Sequence, residues 1–428
     1  MEEVNLENSR RLDKTKKLGS IPELVDYIFN LIIERGFFEY KYKSKKDNLK
    51  KHIDLMVIEL YSRYIEDKTG FISFDKNSNN YINKNREDRY NCNDISRILI
   101  DVCDYMVELK LIEYHKGLNY IKIKRLSRIK ASNELIKLFK KYNLTSTDNI
   151  KFNREVLIMK NSKKEPVNYV ETKETLKTRR EIINYNNLLN KTNITLSKIP
   201  TNELVFFHHK NVHRIFNRDG NGNGRHYGAW WQLIGSNKRK SILINEKLTT
   251  ELDFKSMHPT LLYLKEGIDI TNTKFNPYLS RIPKVRNIYK MLLLCMINAN
   301  SKRDALHAAI YNIKTDAISQ PEKYPDNILE INMNDYINIR DQIYNHNQKI
   351  KKYFFKGIGI KLMLEDSYIT SIIIDYFTKI NIPVLTIFDS FIIESNYIDL
   401  LRFKMIGAYN NNLKAFGYPF SKITPLIK

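Results

Sequence analysis

The sequence of 428 residues contains few cysteines and lacks a long hydrophobic segment. Its three cysteines, Cys92, Cys103 and Cys295, show no CxxC spacing, which argues against a disulfide framework and against a cysteine zinc site. The longest apolar run, around Met291 to Ile297, is much shorter than the roughly 18 residues of a membrane span. The N-terminal stretch MEEVNLENSRR has no apolar signal core. We therefore expect a cytoplasmic protein.

Positive charge is in large excess over negative charge. Lys and Arg number 71 against 48 Asp and Glu, which gives a formal net charge of +23. Such a surface attracts polyanions, and nucleic acid is a better candidate partner than an anionic membrane. The chain is also rich in Asn, Ile and Tyr, so the alternative is a solvated basic surface that reflects the base composition of the gene. The length suits two or three domains, and 42% hydrophobic residues exclude a wholly disordered chain.

Residues 1–140 are predicted to form a mostly helical, winged-helix-like domain. Apolar residues recur at helical spacing over Leu49–Tyr64 and Ile95–Leu111. Ile112–Tyr114, a turn at Gly117 and an alternating segment over Tyr120–Ile123 then predict a hairpin. In a winged helix the second helix contacts a DNA groove and the hairpin contacts phosphates, for which the hairpin segment offers Lys122, Lys124, Arg125 and Arg128. An all-helical packing domain with one hairpin is equally compatible with the pattern.

Residues 141–235 are predicted to form a basic helical connector, similar to a thumb. The most regular helix in it is KETLKTRREIINYNNLLN, which carries Arg179 and Arg180. These cations are suited to a nucleic-acid backbone, and a solvated helix face is the commoner explanation for such a run. Trp231, at the end of the segment, is a candidate to stack on bases, the alternative being a core anchor.

Two carboxylates stand at predicted strand ends. Alternation over LINEKLTTELDFKSMHPTLLYL indicates a strand that ends at Asp253 and is followed by a helix. IPVLTIFDSFIIES indicates two short strands that meet near Asp389. Carboxylates on neighbouring strand ends are what two divalent ions need, because acidic ligands offset the repulsion between the ions. Spacing alone does not show that these two residues meet.

Arg286 and Lys290 lie four residues apart in PKVRNIYKMLLLCMINA, on one face of a predicted helix. Two cations on one helical face are suited to grip a triphosphate, although such a pair alone is usually a solvated surface. The order of carboxylate strand, Arg-x3-Lys helix and carboxylate hairpin is more specific than any of its parts. Phosphoryl transfer is the reaction that this combination favours.

Over roughly residues 214 to 400 the sequence resembles the family A DNA polymerases and the related single-subunit RNA polymerases. ELDFKSMHPTLLY is similar to their motif A, RNIYK to the start of motif B, and FDSFIIE to motif C. The resemblance implies that Asp253 and Asp389 are catalytic metal ligands for Mg²⁺ or Mn²⁺, and that Arg286 and Lys290 bind triphosphate. GRHYGAWWQ is similar in placement to a segment that contacts primer and template, which implies nucleic-acid contacts for Arg225 and Arg239.

Several positions depart from the family pattern. His258 stands where the family usually has its sugar-selecting residue, so the choice between ribose and deoxyribose is open, and a satisfied core histidine is the alternative role. Phe388 replaces the usual His of motif C, Ser390 matches the RNA polymerase branch, and Asn298 stands where a Tyr is expected. These departures indicate a small, divergent member, of a kind carried by phages, plasmids or other mobile elements. No acidic set in residues 1–200 resembles a proofreading exonuclease.

The predicted fold class is α+β: a right-hand polymerase palm over residues 236–428, with helical fingers inserted at about 264–355, preceded by the winged-helix-like domain. The predicted function is a template-directed DNA polymerase that extends a primer 3′ hydroxyl, with DNA template-primer and nucleoside triphosphates as partners. One alternative is a primase or RNA polymerase on the same scaffold, for which RNA is also a partner. Another is a non-catalytic DNA-binding replication or defence protein with a degenerate palm. A mitochondrial location stays open beside the cytoplasmic one.

Overall fold

The computed structural model describes residues 6–13, 16–18, 22–40, 42–81, 89–119, 124–144, 150–152, 154–198, 205–217 and 220–428. The protein is a mixed α+β structure, as predicted, and it divides into two compact units. The N-terminal unit comprises residues 1–155 and 200–209, and the C-terminal unit comprises 156–199 and 210–428. This division differs from the predicted boundaries at 140 and 235. Most of the predicted connector belongs to the C-terminal unit.

The N-terminal unit combines helices with short strands. Its helices are α1 (Pro22–Glu34), α2 (Lys43–Glu66), α3 (Ile98–Glu108) and α4 (Asn133–Lys141). Its strands are β1 (Ser9–Arg11), β2 (Lys16–Leu18), β3 (Phe71–Phe74), β4 (Ile112–His115), β5 (Leu118–Asn119), β6 (Lys124–Arg125), β7 (Ser127–Ala131) and β8 (Ile150–Phe152). The two helices predicted from periodicity are confirmed as α2 and α3, because their apolar stripes form the core of this unit.

A four-stranded sheet in the order β1-β3-β7-β4 lies in the same unit. The strand predicted after α3 is confirmed as β4, which pairs antiparallel with β7 from Ile112 opposite Ala131 to His115 opposite Arg128. The returning strand was predicted over Tyr120–Ile123, and these residues lie outside the described part of the chain. The described partner of β4 therefore begins four residues later, at Ser127.

The C-terminal unit contains the remaining elements. Its helices are α5 (Lys173–Lys191), α6 (Ser236–Arg239), α7 (Met257–Lys265), α8 (Pro283–Asn298), α9 (Lys302–Ser319), α10 (Met333–His346), α11 (Gly359–Lys379) and α12 (Ile398–Ala415). Its strands are β9 (Leu157–Lys160), β10 (Ile194–Leu196), β11 (His213–Asn217), β12 (Gly222–Tyr227), β13 (Ile242–Ile244), β14 (Lys247–Asp253), β15 (Val384–Ile387) and β16 (Ser390–Glu394). Thr172, Ser301 and Asn332 cap α5, α9 and α10 by accepting backbone N–H groups, and Pro283 opens α8.

A five-stranded sheet in the order β10-β13-β14-β16-β15 brings distant segments together. β14 and β16 are antiparallel neighbours, with Asp253 opposite Ser390. β15 and β16 form a hairpin whose two-residue turn is Phe388–Asp389, because Ile387 pairs with Ser390. The end of β14 therefore lies beside this turn, where the backbone N–H of Phe254 donates to the carbonyl of Asp389 over 3.4 Å.

Helix α11 packs closely against β12, which belongs to a three-stranded sheet in the order β12-β11-β9. Gly224 permits this approach, since a Cβ there would lie 2.5 Å from Oγ of Ser367 and its φ of +79° is left-handed. Leu362, Ile369 and Ile373 form the buried apolar face of α11. In the described residues, no helix has the length and apolar character needed to cross a membrane.

Candidate active site

The two predicted carboxylates lie beside each other at the ends of two adjacent interior strands of the five-stranded sheet. Asp253 is the last residue of β14, and Asp389 lies in the turn that precedes its partner strand β16. Burial and then the negative charge of Asp389 raise the pKa of Asp253 to about 7, while Lys290 acts in the opposite direction. Burial and the charge of Asp366 raise the pKa of Asp389, and Arg225 opposes them. The Asp389 carboxylate is therefore close enough to Asp253 to disfavour the ionised form of Asp253.

Left-handed backbone flanks both carboxylates. Phe388 has a φ of 59° and Ser256 a φ of 52°, a region that side-chain-bearing residues seldom adopt. The Phe388 ring lies under the Arg225 guanidinium, with its centroid 5.0 Å from the guanidinium carbon, and contacts the Tyr227 ring at 5.7 Å between centroids. Both contacts join the Phe388 ring to residues of β12. Strained backbone beside paired carboxylates is typical of functional sites.

A cavity of about 670 Å³ opens beside the carboxylates. It contains six of the predicted site residues, Arg225, Asp253, His258, Arg286, Lys290 and Asp389, and Asn298 lies in its wall. Other lining residues were not predicted; they include Lys255, Ser256, Tyr278, Met363 and Lys428. The cavity brings together carboxylates and cations that are far apart in the sequence, between Arg225 and Lys428.

Four cations in this cavity form no ion pair within the described residues: Lys255, Arg286, Lys290 and Lys428. Arg286 and Lys290 lie on the first two turns of α8, as predicted, and the Arg286 guanidinium carbon is 4.5 Å from the Tyr278 ring centroid. The backbone of Lys428, and not its charged side chain, forms hydrogen bonds of 2.9 and 3.1 Å with the backbone of Asp253. Unpaired cations around a cavity attract a polyanionic ligand.

A buried carboxylate that sequence reasoning missed lies behind the cavity wall. The Asp366 side chain is 0% exposed and accepts from Arg225 Nε, which is 3.0 and 3.1 Å from its two oxygens. Its Oδ2 is also 2.8 Å from His258 Nε2. Burial alone lowers the pKa of Arg225, but the hydrogen bonds and charge of Asp366 outweigh it and raise that pKa. The sequence did contain a signal for the burial of Asp366. This acidic residue follows the helical spacing of the apolar residues that form the buried face of α11.

Two predicted nucleic-acid contacts lie away from the cavity lining. Trp231 is fully buried, and its Nε1 donates to the Thr386 carbonyl over 3.2 Å, so no face of the ring is open to a base. The stacking prediction is therefore corrected to the packing role. Arg239 forms two hydrogen bonds of 3.0 and 2.8 Å with Glu251, which also accepts from Ser390 Oγ. Its charge is used within the protein.

The predicted pair on α5 separates into two environments. Arg179 lies 2.7 Å from Glu171 and donates to the Tyr169 hydroxyl. Arg180 is exposed, as are Lys173 and Lys177 on the same side of the helix. Of the two arginines, Arg180 is the one whose charge faces solvent.

In the N-terminal unit, α3 would be the groove-contacting helix of a winged helix. It contains Asp101, Asp104 and Glu108 and no Lys or Arg, a charge pattern that repels a DNA backbone. Among the predicted hairpin cations, Arg128 is buried and donates to the Leu6 carbonyl, and Lys122 lies outside the described residues. The charge of α3 does not suit the predicted DNA contact.

The metal-ligating potential of the cavity rests on its two carboxylates. Within the described residues, no group of three or more His, Cys, Asp or Glu side chains is placed to hold a metal ion. Mg²⁺ is commonly bound by one or two carboxylates, with waters and substrate phosphates completing its shell. Asp253 and Asp389 fit that number, and the charge of Asp389 raises the pKa of Asp253, which indicates a repulsion that a divalent cation would relieve.

In comparisons with known proteins, no family model matches the chain and no curated protein matches it significantly in sequence.

Proposed function

We propose that the protein is a template-directed nucleotidyltransferase, a DNA polymerase that extends a primer 3′ hydroxyl with nucleoside triphosphates. The observation that carries the proposal is the cavity in which Asp253 and Asp389 lie among unpaired cations. Paired carboxylates beside cations suit phosphoryl transfer, because that reaction needs positioning and neutralisation of phosphate charge more than covalent chemistry.

Six charged side chains of the cavity have roles in this proposed reaction. Arg286 and Lys290, on one face of α8, bind the triphosphate. Asp253 and Asp389 would hold Mg²⁺, which when bound would neutralise phosphate charge and lower the pKa of the attacking hydroxyl. The primer 3′ hydroxyl loses its proton to solvent, and its oxygen attacks the α-phosphorus. The bond from the α-phosphorus to the bridging oxygen breaks, so a new phosphodiester forms and pyrophosphate leaves. Lys255 and Lys428 add positive charge on the Asp253 side of the cavity.

The proposal extends to the architecture. The five-stranded sheet with both carboxylates would be the palm, and the helices α8, α9 and α10, inserted between β14 and β15, would be the fingers. The N-terminal unit would bind template or origin DNA as a winged-helix-like module. The acidic α3 argues that, in such a module, surfaces other than this helix contact the phosphates.

Primer extension with Mg²⁺ tests the proposal. A labelled primer on a DNA template is incubated with deoxyribonucleotides, with ribonucleotides, or without primer. We expect Asp253→Asn and Asp389→Asn each to lower extension at least about 100-fold, since each removes a metal ligand. Asp326→Asn is the control, because the Asp326 side chain is fully exposed and lies outside the cavity lining. Extension that survives both substitutions, or no synthesis by the wild type, would contradict the proposal.

The triphosphate role is tested on α8 itself. Lys290→Ala should raise the KM for the nucleotide about tenfold, because a charge-assisted contact to phosphate is lost. Lys284→Ala is the matched control: it lies on the same helix, 3.3 Å from Asp326 and away from the cavity. Equal effects of the two variants on the KM for the nucleotide would contradict the triphosphate role of Lys290. Synthesis that needs no primer would favour the primase alternative.

A further inference from the structure

We infer that Asp366 is a positioning residue that holds Arg225 and His258 as one unit in the cavity wall, and that through His258 it sets which nucleotide sugar is accepted. The inference rests on the proposed nucleotide site. Asp366 belongs to α11, His258 to α7 and Arg225 to β12, so one carboxylate joins three elements.

Asp366, His258 and Arg225 form a buried hydrogen-bond network and not a solvated surface cluster. The Asp366 side chain is 0% exposed, the His258 side chain 8% and the Arg225 side chain 14%. A buried carboxylate without partners is strongly destabilising, so its oxygens need the donors that Arg225 and His258 supply. Removing Asp366 would leave a buried guanidinium without its counter-charge and a buried imidazole without its partner.

The distances select one tautomer of His258. Its Nε2 lies 2.8 Å from Asp366 Oδ2 and 3.3 Å from Arg225 Nη2. An unprotonated Nε2 would direct its lone pair at the nearer carboxylate oxygen, which is repulsive, so Nε2 carries the proton and donates it. In the neutral ring Nδ1 then keeps its lone pair. Asp366 thus makes His258 a hydrogen-bond acceptor at Nδ1.

The location of His258 indicates which part of the nucleotide it contacts. The reacting α-phosphate must lie at Asp253 and Asp389, and the β- and γ-phosphates extend toward Arg286 and Lys290. The sugar is bonded to the α-phosphate, so it lies near the carboxylates. His258, the second residue of α7, lines the cavity and is close enough to Asp389 to interact with the charge of that carboxylate. A fixed acceptor there distinguishes sugars by their hydroxyl groups.

A double-mutant cycle tests whether Asp366 acts through His258. The measured quantity is the ratio of kcat/KM for deoxyribonucleotides to that for ribonucleotides, in wild type, Asp366→Ala, His258→Ala and the double variant. We expect each single change to shift the ratio about tenfold, mainly through KM, and the double variant to match His258→Ala. Asp366→Asn keeps an oxygen acceptor and should retain a ratio near that of the wild type. Equal loss on both sugars, or effects on the ratio that multiply, would overturn the inference.

A second measurement needs neither catalysis nor a folded Asp366→Ala variant. ¹⁵N NMR of histidine-labelled wild type at alkaline pH, with the His258 signals assigned by their absence in His258→Ala, reports which ring nitrogen carries the proton. We expect protonated Nε2 and unprotonated Nδ1 in the wild type and in Asp366→Asn. A proton on Nδ1 would refute the role of Asp366 even in an active polymerase. Failure of primer extension would instead contradict the proposed function.

Discussion

At the residue scale, the site places like charges together at the expense of stability. Burial and then the charge of Asp389 raise the pKa of Asp253, and burial and then the charge of Asp366 raise the pKa of Asp389. Ser256, three residues after Asp253, and Phe388, directly before Asp389, have left-handed backbone conformations. Natural proteins tolerate such local penalties where function requires them, so substitutions that remove the charge should stabilise the fold.

Asp253→Asn should stabilise the protein when no metal is present. The pKa of Asp253 is about 7 in the folded protein against an ordinary value of 3.8, so the folded state disfavours the ionised form. Stability is therefore lost as pH rises from about 4 through 7, and above this range the variant should gain on the order of 2 kcal/mol in free energy of unfolding. The check is urea unfolding with EDTA.

The gain should shrink as pH falls toward about 5, since Asp253 is then largely protonated in the folded state. Asp326→Asn, at a fully exposed position, should show no comparable gain at either pH. Wild-type and Asp253→Asn curves that coincide at alkaline pH would show that the carboxylate is not destabilised as described.

At the element scale, the close approach of β12 to α11 places Arg225 beside Asp366. Gly222 and Gly224 lie on the strand where the helix packs, and a Cβ on Gly222 would lie 3.0 Å from the Ile360 side chain. The register between strand and helix is thus set by the absence of side chains at two positions. This contact connects the stability of the fold with the geometry of the cavity.

Gly224→Ala should destabilise the protein by about 2 kcal/mol or more and weaken nucleotide binding. The new Cβ would contact Ser367 Oγ at 2.5 Å, and alanine is also unfavourable at a φ of +79°. Gly235→Ala is the matched control, because nothing lies within 4 Å of a Cβ there and its φ is −64°. Denaturant unfolding compares the two. Equal stability of both variants would show that α11 does not constrain β12.

His52 should make the N-terminal unit sensitive to acid. Its Nδ1–H donates to the Asn48 carbonyl over 2.6 Å, and its Nε2 accepts the Ser96 backbone N–H over 2.9 Å. Burial is the main cause that lowers the pKa of His52 from 6.5 to about 4. The neutral ring contributes fully to the free energy of unfolding above about pH 6.5. This contribution is lost as pH falls to about 4, which lowers the free energy of unfolding by up to roughly 3 kcal/mol.

The measurement is the free energy of unfolding against pH for the wild type and for His52→Gln, which does not titrate in this range. The difference between the two should narrow as the pH falls from 6.5, because only the wild type takes up a proton on unfolding. Parallel curves over this interval would contradict the prediction.

At the scale of the whole molecule, the net charge of +23 is unevenly distributed. Exposed Lys173, Lys177 and Arg180 lie along one side of α5, whereas α3 contains three acidic residues and no basic one. Binding of a polyanion should therefore depend on particular surfaces, and its salt dependence should report how many phosphates they contact.

Arg180→Ala should reduce the steepness with which DNA binding falls as salt rises. Each phosphate contact contributes about 0.9 to the slope of log K against log salt, so the slope should fall by about one. Arg179→Ala, at the adjacent position, removes a cation already 2.7 Å from Glu171 and should change the slope less. Fluorescence anisotropy across a salt series compares them. An unchanged slope for Arg180→Ala would exclude α5 from the contact.

Short-range patterns in the sequence determined which elements contain the proposed chemistry. Alternation identified the strands that end at Asp253 and precede Asp389, and helical spacing placed Arg286 and Lys290 on one face of α8, because both periodicities involve neighbouring residues. Only the tertiary structure decided which side chains meet. Asp366 lies 108 positions from His258 and 141 from Arg225, and no local rule pairs residues so far apart.

The same reason explains why two residues predicted to contact nucleic acid have partners within the protein. Trp231 and Arg239 belong to a segment rich in groups that bind nucleic acid, but their partners, Thr386 and Glu251, come from packed strands. Whether a tryptophan stacks on a base or fills the core depends on what covers it, and whether an arginine is free depends on the nearest carboxylate. Residue types and spacing therefore determined the candidate chemistry, while long-range packing decided which of those groups face the cavity and which serve the fold.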